Sequence, residues 1–181
     1  VNLPVTCPNR LDGGNGCTYC SDVAVGFEML SNEISITSQL VQNIEYIGTK
    51  YKAKKFVAYF QNFTNTFMPL DIFEKCMMSV VRDDVVEIAI STRPDCISEP
   101  YLEILKTIKQ EYKINICIEM GLQSVNYKTL IKINRGHTLA EYIDAVIMIK
   151  KYGFDISTHM ILNLPYDDLT DVIEGAKILS A

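Results

Sequence analysis

Short runs of β-branched and aromatic residues alternate along this chain with longer segments whose apolar positions recur every three or four residues. Phe56-Val57-Ala58-Tyr59-Phe60 and residues 85–90, 114–120 and 155–162 have the length and composition of strands. Val5 and Thr6 are expected to close a further strand ahead of them. Between the strands, Leu40, Val41, Ile44 and Ile47 share one helical face, as do Leu102, Leu105 and Ile108. Leu139, Tyr142, Ile143, Val146 and Ile149 mark another helix, opened by Thr138 with Glu141 three residues on, the signature of a capping box. Val172, Ala176 and Leu179 suit a last one.

Strand–helix alternation at this spacing predicts βαβ units and a parallel sheet. Five units can be counted, which suits either a doubly wound sheet or a partial barrel, and periodicity does not separate the two. In both, ligands bind where the carboxyl ends of the strands emerge. Alternate strand residues share a face. Tyr59 with Gln61, Ser91 with Arg93, Glu119 with Gly121 and Gln123, and Ser157 with His159 and Asn163 therefore form four polar groups at one end of the sheet. Buried charges and amides need partners, so their coincidence predicts a ligand pocket; some of them can equally cap loops or satisfy neighbouring backbone.

Composition narrows the class. The chain has 181 residues, enough for one domain with a substantial core, and residues 1–181 read as a single unit. No apolar run approaches a membrane span. The formal net charge of −5 argues against broad electrostatic binding to nucleic acid or anionic membrane, while leaving room for a local basic groove. Lys50, Lys52, Lys54 and Lys55 form the one dense basic run; such a run is commonly a solvated helix end. Soft oxidisable side chains and no export signal suit a reducing cytoplasm. The first residue is Val1 and the last lie in a helical pattern, so the chain reads as the core of a longer protein.

Cys7, Cys17 and Cys20 carry the chemistry. They follow the first expected strand with spacing C-x9-C-x2-C, separated by the turn formers of Pro8-Asn9-Arg10-Leu11-Asp12-Gly13-Gly14-Asn15-Gly16. Structural zinc and simple electron-transfer clusters take four protein ligands. Three thiolates on a 4Fe–4S cluster leave one iron open to a small molecule. A disulfide, or half a zinc site completed by a distant residue, are the other readings of the triplet. Cys76, Cys96 and Cys117 stand singly in apolar or strand-like surroundings and read as small hydrophobes.

The triplet, with Tyr19 directly before its last cysteine, resembles the radical SAM superfamily. Ala58-Tyr59-Phe60-Gln61-Asn62-Phe63-Thr64-Asn65-Thr66, Ser91-Thr92-Arg93-Pro94-Asp95, Glu119-Met120-Gly121-Leu122-Gln123-Ser124 and Ile133-Asn134-Arg135-Gly136-His137 follow in order. Together they resemble the YhcC-like group, relatives of the Elongator catalytic subunit's radical SAM domain. The resemblance implies an α/β fold, a partial (β/α)6 barrel lacking its last unit. It implies a 4Fe–4S cluster on Cys7, Cys17 and Cys20, and S-adenosylmethionine (SAM) chelating the open iron. An electron from the cluster then yields methionine and a 5′-deoxyadenosyl radical that takes a hydrogen atom from substrate. An electron donor such as flavodoxin or ferredoxin is implied as partner.

Residue by residue, the resemblance places Tyr19 near the adenine and Gln61, Asn62 and Thr64 near the SAM amino group, although an asparagine here can also simply turn the chain. Arg93 and Arg135 become candidates for the SAM carboxylate, which a guanidinium fork fits bidentately; either can otherwise be a helix-end cation. Glu119 and Gln123 would meet the ribose or the methionine end. His137 is expected to hydrogen-bond locally, and His159 and Asn163 to face substrate or to be satisfied within the protein. Two departures stand out: a short loop between the first two cysteines, and Asn163-Leu164-Pro165-Tyr166-Asp167 where the group has Gly-Leu-Pro-Gly-Glu. The implied substrate is a tRNA wobble uridine, whose binding would need a local cationic surface, such as the lysine run, or segments beyond these residues. The competing function is a zinc- or cluster-stabilised binding module without turnover.

Overall fold

In a computed structural model, which describes residues 1–20 and 29–181, four parallel strands lie in chain order. They are β1 (Phe56–Phe60), β2 (Val85–Thr92), β3 (Asn115–Gln123) and β4 (Asp155–Met160). Helices α1 (Ile36–Tyr51), α2 (Leu70–Met78), α3 (Glu99–Tyr112), α4 (Tyr127–Lys132), α5 (Leu139–Lys151) and α6 (Leu169–Ser180) connect and follow them. Two short 3-10 stretches, Pro8–Gly13 and Pro94–Cys96, complete the described elements.

Alternation within the strands explains the architecture. Ala58 and Phe60, Ile88 and Ile90, and Ile116, Ile118 and Met120 share one face of the sheet and are buried in the core with Phe73, Met77, Leu102, Leu105 and Ile149 from the helices. Burying each such side chain contributes about 2 kcal/mol. The opposite face carries Tyr59, Ser91, Cys117, Glu119 and Ser157, all half-buried. A doubly wound sheet buries both faces and reads as continuous apolar runs. One apolar and one polar face instead suit a curved, barrel-like sheet whose concave side receives a ligand.

The expected strand at Val5 and Thr6 does not form. Pro4 and Pro8 bracket these residues and bring no N–H to a ladder. The segment is held at the β1 edge by other means: the Val1 nitrogen donates to the Tyr59 carbonyl (2.7 Å). The buried Gln39 side chain accepts from the Asn2 N–H (2.7 Å) and donates to the Asn2 carbonyl (2.9 Å). Four strands therefore replace the five units counted from pattern.

Helix boundaries follow local chemistry. Thr138 and Glu141 form the capping box on α5, and Asp168 and Asp171 form a second on α6. β3 runs three residues beyond the expected end at Met120, reaching Gln123 through an irregularity after Gly121. β4 stops two residues short of Leu162. Among the described residues, no helix is long and apolar enough to cross a membrane.

Candidate active site

Register brings the polar strand ends together. Ser91 on β2, Glu119 on β3 and Ser157 on β4 are neighbours across the ladders, and Gly121 lies beside His159. Glu119 Oε2 accepts from the Tyr59 phenol (2.5 Å) and the Ser91 hydroxyl (3.0 Å), with His159 Nε2 at 3.6 Å. Burial, reinforced by the carboxylate, pushes the Tyr59 phenol up to about 12. No hydrogen bond reaches Glu119 Oε1 from the described residues, and Glu119 lines the cavity described below.

The cysteine loop closes over this end. The 3-10 stretch after Cys7 turns the chain, and the Gly16 N–H returns to the Asn9 carbonyl (3.0 Å). The loop is pinned to the segment after α4: Thr18 N–H donates to the Ile133 carbonyl (3.0 Å), and Asn134 Nδ2 to the Gly16 carbonyl (2.9 Å). Asn9 Nδ2 donates to the carbonyls of Asn134 and Arg135 and to Cys17 Sγ (3.4 Å). No disulfide joins the cysteines.

One cavity of about 290 Å³ results. Its walls include Cys7, Cys17 and Cys20 with Tyr19; Gln61, Asn62 and Thr64 past β1; Arg93 past β2; Glu119 and Gln123 on β3; and Arg135 and His159. Asn163 is the exception. β4 has already ended, Asn163 turns the chain at φ +64°, and it stands exposed outside the lining. Tyr166 is likewise exposed, with the Lys132 ammonium 4.0 Å from its ring centre.

The arginines are more engaged than their motifs imply. Arg93, 3% exposed, grips Asp95 through Nε and Nη2 (2.9 and 2.7 Å) and turns Nη1 toward Cys7 Sγ (3.4 Å). Arg135 donates from Nε to His137 Nε2 (2.9 Å) and from Nη2 to the Gly121 carbonyl (2.7 Å), leaving Nη1 3.9 Å from Cys17 Sγ. In both, the Nε–Nη2 edge is already taken within the protein. With Nε2 accepting from Arg135, the ring is neutral and its proton sits on Nδ1, 3.2 Å from the Thr138 carbonyl; the Gly121 carbonyl, 3.0 Å from Nε2, is then served by Arg135 Nη2. Burial first, then the adjacent guanidinium, lowers the His137 pKa to about 4.

Two glycines make room for this network. Gly136 has φ +80°, and a Cβ there would lie 2.6 Å from Arg93 Nη2. A Cβ on Gly121 would lie 2.5 Å from Gln123 Nε2 and 2.6 Å from Arg135 Nη2. The Cys7 thiol shows the electrostatic outcome: burial raises its pKa, but hydrogen bonds from Thr64, the Asn9 backbone and Arg93 outweigh that and lower it. Asn9 and Arg10 are contributors that the motifs did not single out.

Residues 1–177 match the family model described as the radical SAM superfamily. The chain belongs to the radical SAM superfamily. YtqA of Bacillus subtilis is 34% identical over 178 residues, covering 96% of this chain and 54% of that protein. YhcC of Escherichia coli K12 is 30% identical over 172 residues, covering 93% and 54%. The chain thus spans about half the length of these curated relatives. A shorter stretch of 85 residues, 32% identical, matches a tRNA uridine(34) acetyltransferase of Methanocaldococcus jannaschii, covering 46% of this chain and 15% of that protein. The solved structure of archaeal Methanocaldococcus infernus Elp3, with its N-terminus deleted, shares the fold at TM-score 0.66 and 19% identity. That match covers 80% of this chain and 38% of the other.

Radical SAM membership implies an enzyme that uses SAM and a 4Fe–4S cluster, and the donor set fits that pair. Among the described residues, no three His, Cys, Asp or Glu side chains converge closely enough for one metal ion. Ligands of a single zinc must meet about 2.3 Å from it. Thiolates of a cluster each bind their own iron, and the three thiols border one cavity. The buried Asn62 Oδ1 is an acceptor without a partner among the described residues, and Asn62 lines the cavity.

Proposed function

We propose that this chain is the catalytic core of a radical SAM enzyme, with Cys7, Cys17 and Cys20 holding the cluster and the polar strand ends holding SAM. The observation that carries the reading is the convergence of three thiols and the ends of all four strands on one cavity. When bound, the reduced cluster supplies the electron that breaks a SAM carbon–sulfur bond, giving the radical that takes hydrogen from substrate. The protein's own work is orientation and exclusion of water. Asn62 Oδ1 and Glu119 Oε1 offer acceptors to the cosubstrate's amino and hydroxyl groups. Gln61 and Gln123 add amides, and Tyr19 an aromatic face for the adenine. The Tyr59 and Ser91 hydroxyls hold the Glu119 carboxylate in place.

For the substrate, a tRNA wobble uridine is the reading we carry forward, supported by the partial match to a protein named for that position. The lysine run bears on it. Lys52 and Lys54 lie between α1 and β1, at the amino end of the sheet. About 16 Å of strand separates them from the cavity. Lys50 is stacked against Tyr46 and Tyr51, and Lys55 donates to the Asp83 carbonyl (2.8 Å). The run is therefore no lip of the cavity, and a tRNA grip there acts at a distance. A non-catalytic metal module leaves the polar strand ends without a purpose.

The test is reductive SAM cleavage by the anaerobically reconstituted protein. Dithionite-reduced wild type is expected to release methionine and 5′-deoxyadenosine, and Cys7→Ala to release neither. Equal cleavage by that variant refutes the ligand assignment. Retention of unmodified tRNA at several salt concentrations tests the substrate; no retention at low salt removes it.

A further inference from the structure

Each of the three cysteine sulfurs has a guanidinium nitrogen of its own. Arg93 Nη1 lies 3.4 Å from Cys7 Sγ, Arg135 Nη1 3.9 Å from Cys17 Sγ, and Arg10 Nη2 3.4 Å from Cys20 Sγ. The three arginines come from separate places: the cysteine loop, the end of β2 and the turn after α4. We propose that they form a cationic cradle for the cluster, one arginine to each thiolate, and so set its reduction potential; they are positioning residues. The inference rests on the cluster reading above.

A carboxylate anchor presents two parallel N–H groups to the ligand. Arg93 has its Nε–Nη2 edge on Asp95, and Arg135 has the same edge on His137 and the Gly121 carbonyl, which makes sulfur the neighbour of each Nη1. In each case the nitrogen left over is the one aimed at sulfur. The chain also accommodates the arrangement, since Gly136 leaves the space that Arg93 Nη2 occupies.

The consequence is electrostatic. Reduction adds one negative charge to a cluster already bearing three thiolates, and nearby cations stabilise the reduced form more than the oxidised form. N–H donors to the sulfurs act in the same direction. Buried Arg93 and Arg135 are screened little, whereas Arg10, whose contact with Cys20 is exposed, is screened more. All three raise the potential, the buried pair more than Arg10.

The experiment is an EPR-monitored redox titration of the reconstituted full-length protein, without SAM, for wild type, Arg10→Gln, Arg135→Gln and Arg93→Lys. The expected result is a midpoint lower than wild type in both glutamine variants, with the larger shift in Arg135→Gln. Arg93→Lys keeps the charge but loses the fork, so its midpoint falls less than that of Arg135→Gln. Loss of iron from all three variants, with circular dichroism unchanged, also supports the cradle, since an anchor for SAM alone leaves the cluster in place. Midpoints equal to wild type, together with weakened SAM binding by calorimetry, overturn it in favour of carboxylate anchoring. A wild type that never holds four irons refutes the cluster reading itself, a result distinct from a normal cluster with unmoved potentials.

Discussion

Acidification offers a direct test of the network behind the cavity, because His137 must stay neutral for it to form. Its Nε2 accepts from Arg135 Nε, and a proton there would replace that hydrogen bond with two facing cations. Burial and Arg135 lower its pKa from 6.5 to about 4. The unfolded chain therefore takes up a proton below pH 6.5 that the folded chain refuses until about pH 4. Stability is unaffected by this group above pH 6.5 and falls with pH below it, by about 1.4 kcal/mol per unit. Across the whole window the loss is about 3 kcal/mol, a large share of the roughly 5–15 kcal/mol typical of a domain. The assay is urea unfolding of the metal-free, reduced protein from pH 7.5 to 4.5, beside His137→Gln, whose amide oxygen can still accept from Arg135. Carboxylates titrate in both proteins and cancel in the difference. Wild-type stability is expected to drop relative to the variant as pH falls. A difference that is flat with pH, or an NMR titration placing His137 near 6.5, would show that this network does not hold the ring neutral. The chain has two histidines, so one variant assigns both resonances.

Other expectations follow from single positions. Gly136→Ala combines a left-handed backbone with a Cβ 2.6 Å from Arg93 Nη2, and is expected to cost about 1–3 kcal/mol in urea unfolding; an unchanged midpoint contradicts the packing described. Ile118→Ala opens a cavity at a fully buried position on the core face of β3, with an expected loss of about 2–5 kcal/mol by the same assay. Lys52→Glu with Lys54→Glu changes the amino end of the sheet, so the SAM cleavage rate is expected to match wild type; a large loss would mean that this end communicates with the cavity.

What could be read in advance was set by range. β1 spans the residues its β-branched and aromatic run predicts, and Thr138 with Glu141 closes the expected box, because each depends on neighbours within a few positions. The four polar strand ends were also legible, since period-two alternation fixes the face of a strand residue as long as the strand continues. It does not continue to Asn163: the chain turns at φ +64° after Met160 and takes that side chain away from the cavity. Asn9 and Arg10 looked like turn formers and nothing more. Asn9 is in fact bound to the Arg135 carbonyl, 126 residues away, a pairing that no local pattern encodes. The motifs likewise marked Arg93 and Arg135 as cations near a ligand, but could not show that Asp95 and His137 occupy an edge of each. The strand expected at Val5 and Thr6 failed for a local reason that was visible, the prolines on either side.

The most direct test of the account is iron, sulfide and zinc analysis after anaerobic reconstitution, with EPR of the reduced protein before and after SAM. The expected result is close to four irons and four sulfides per chain and a spectrum that changes when SAM is added. Stoichiometric zinc, with no response to SAM, would contradict it.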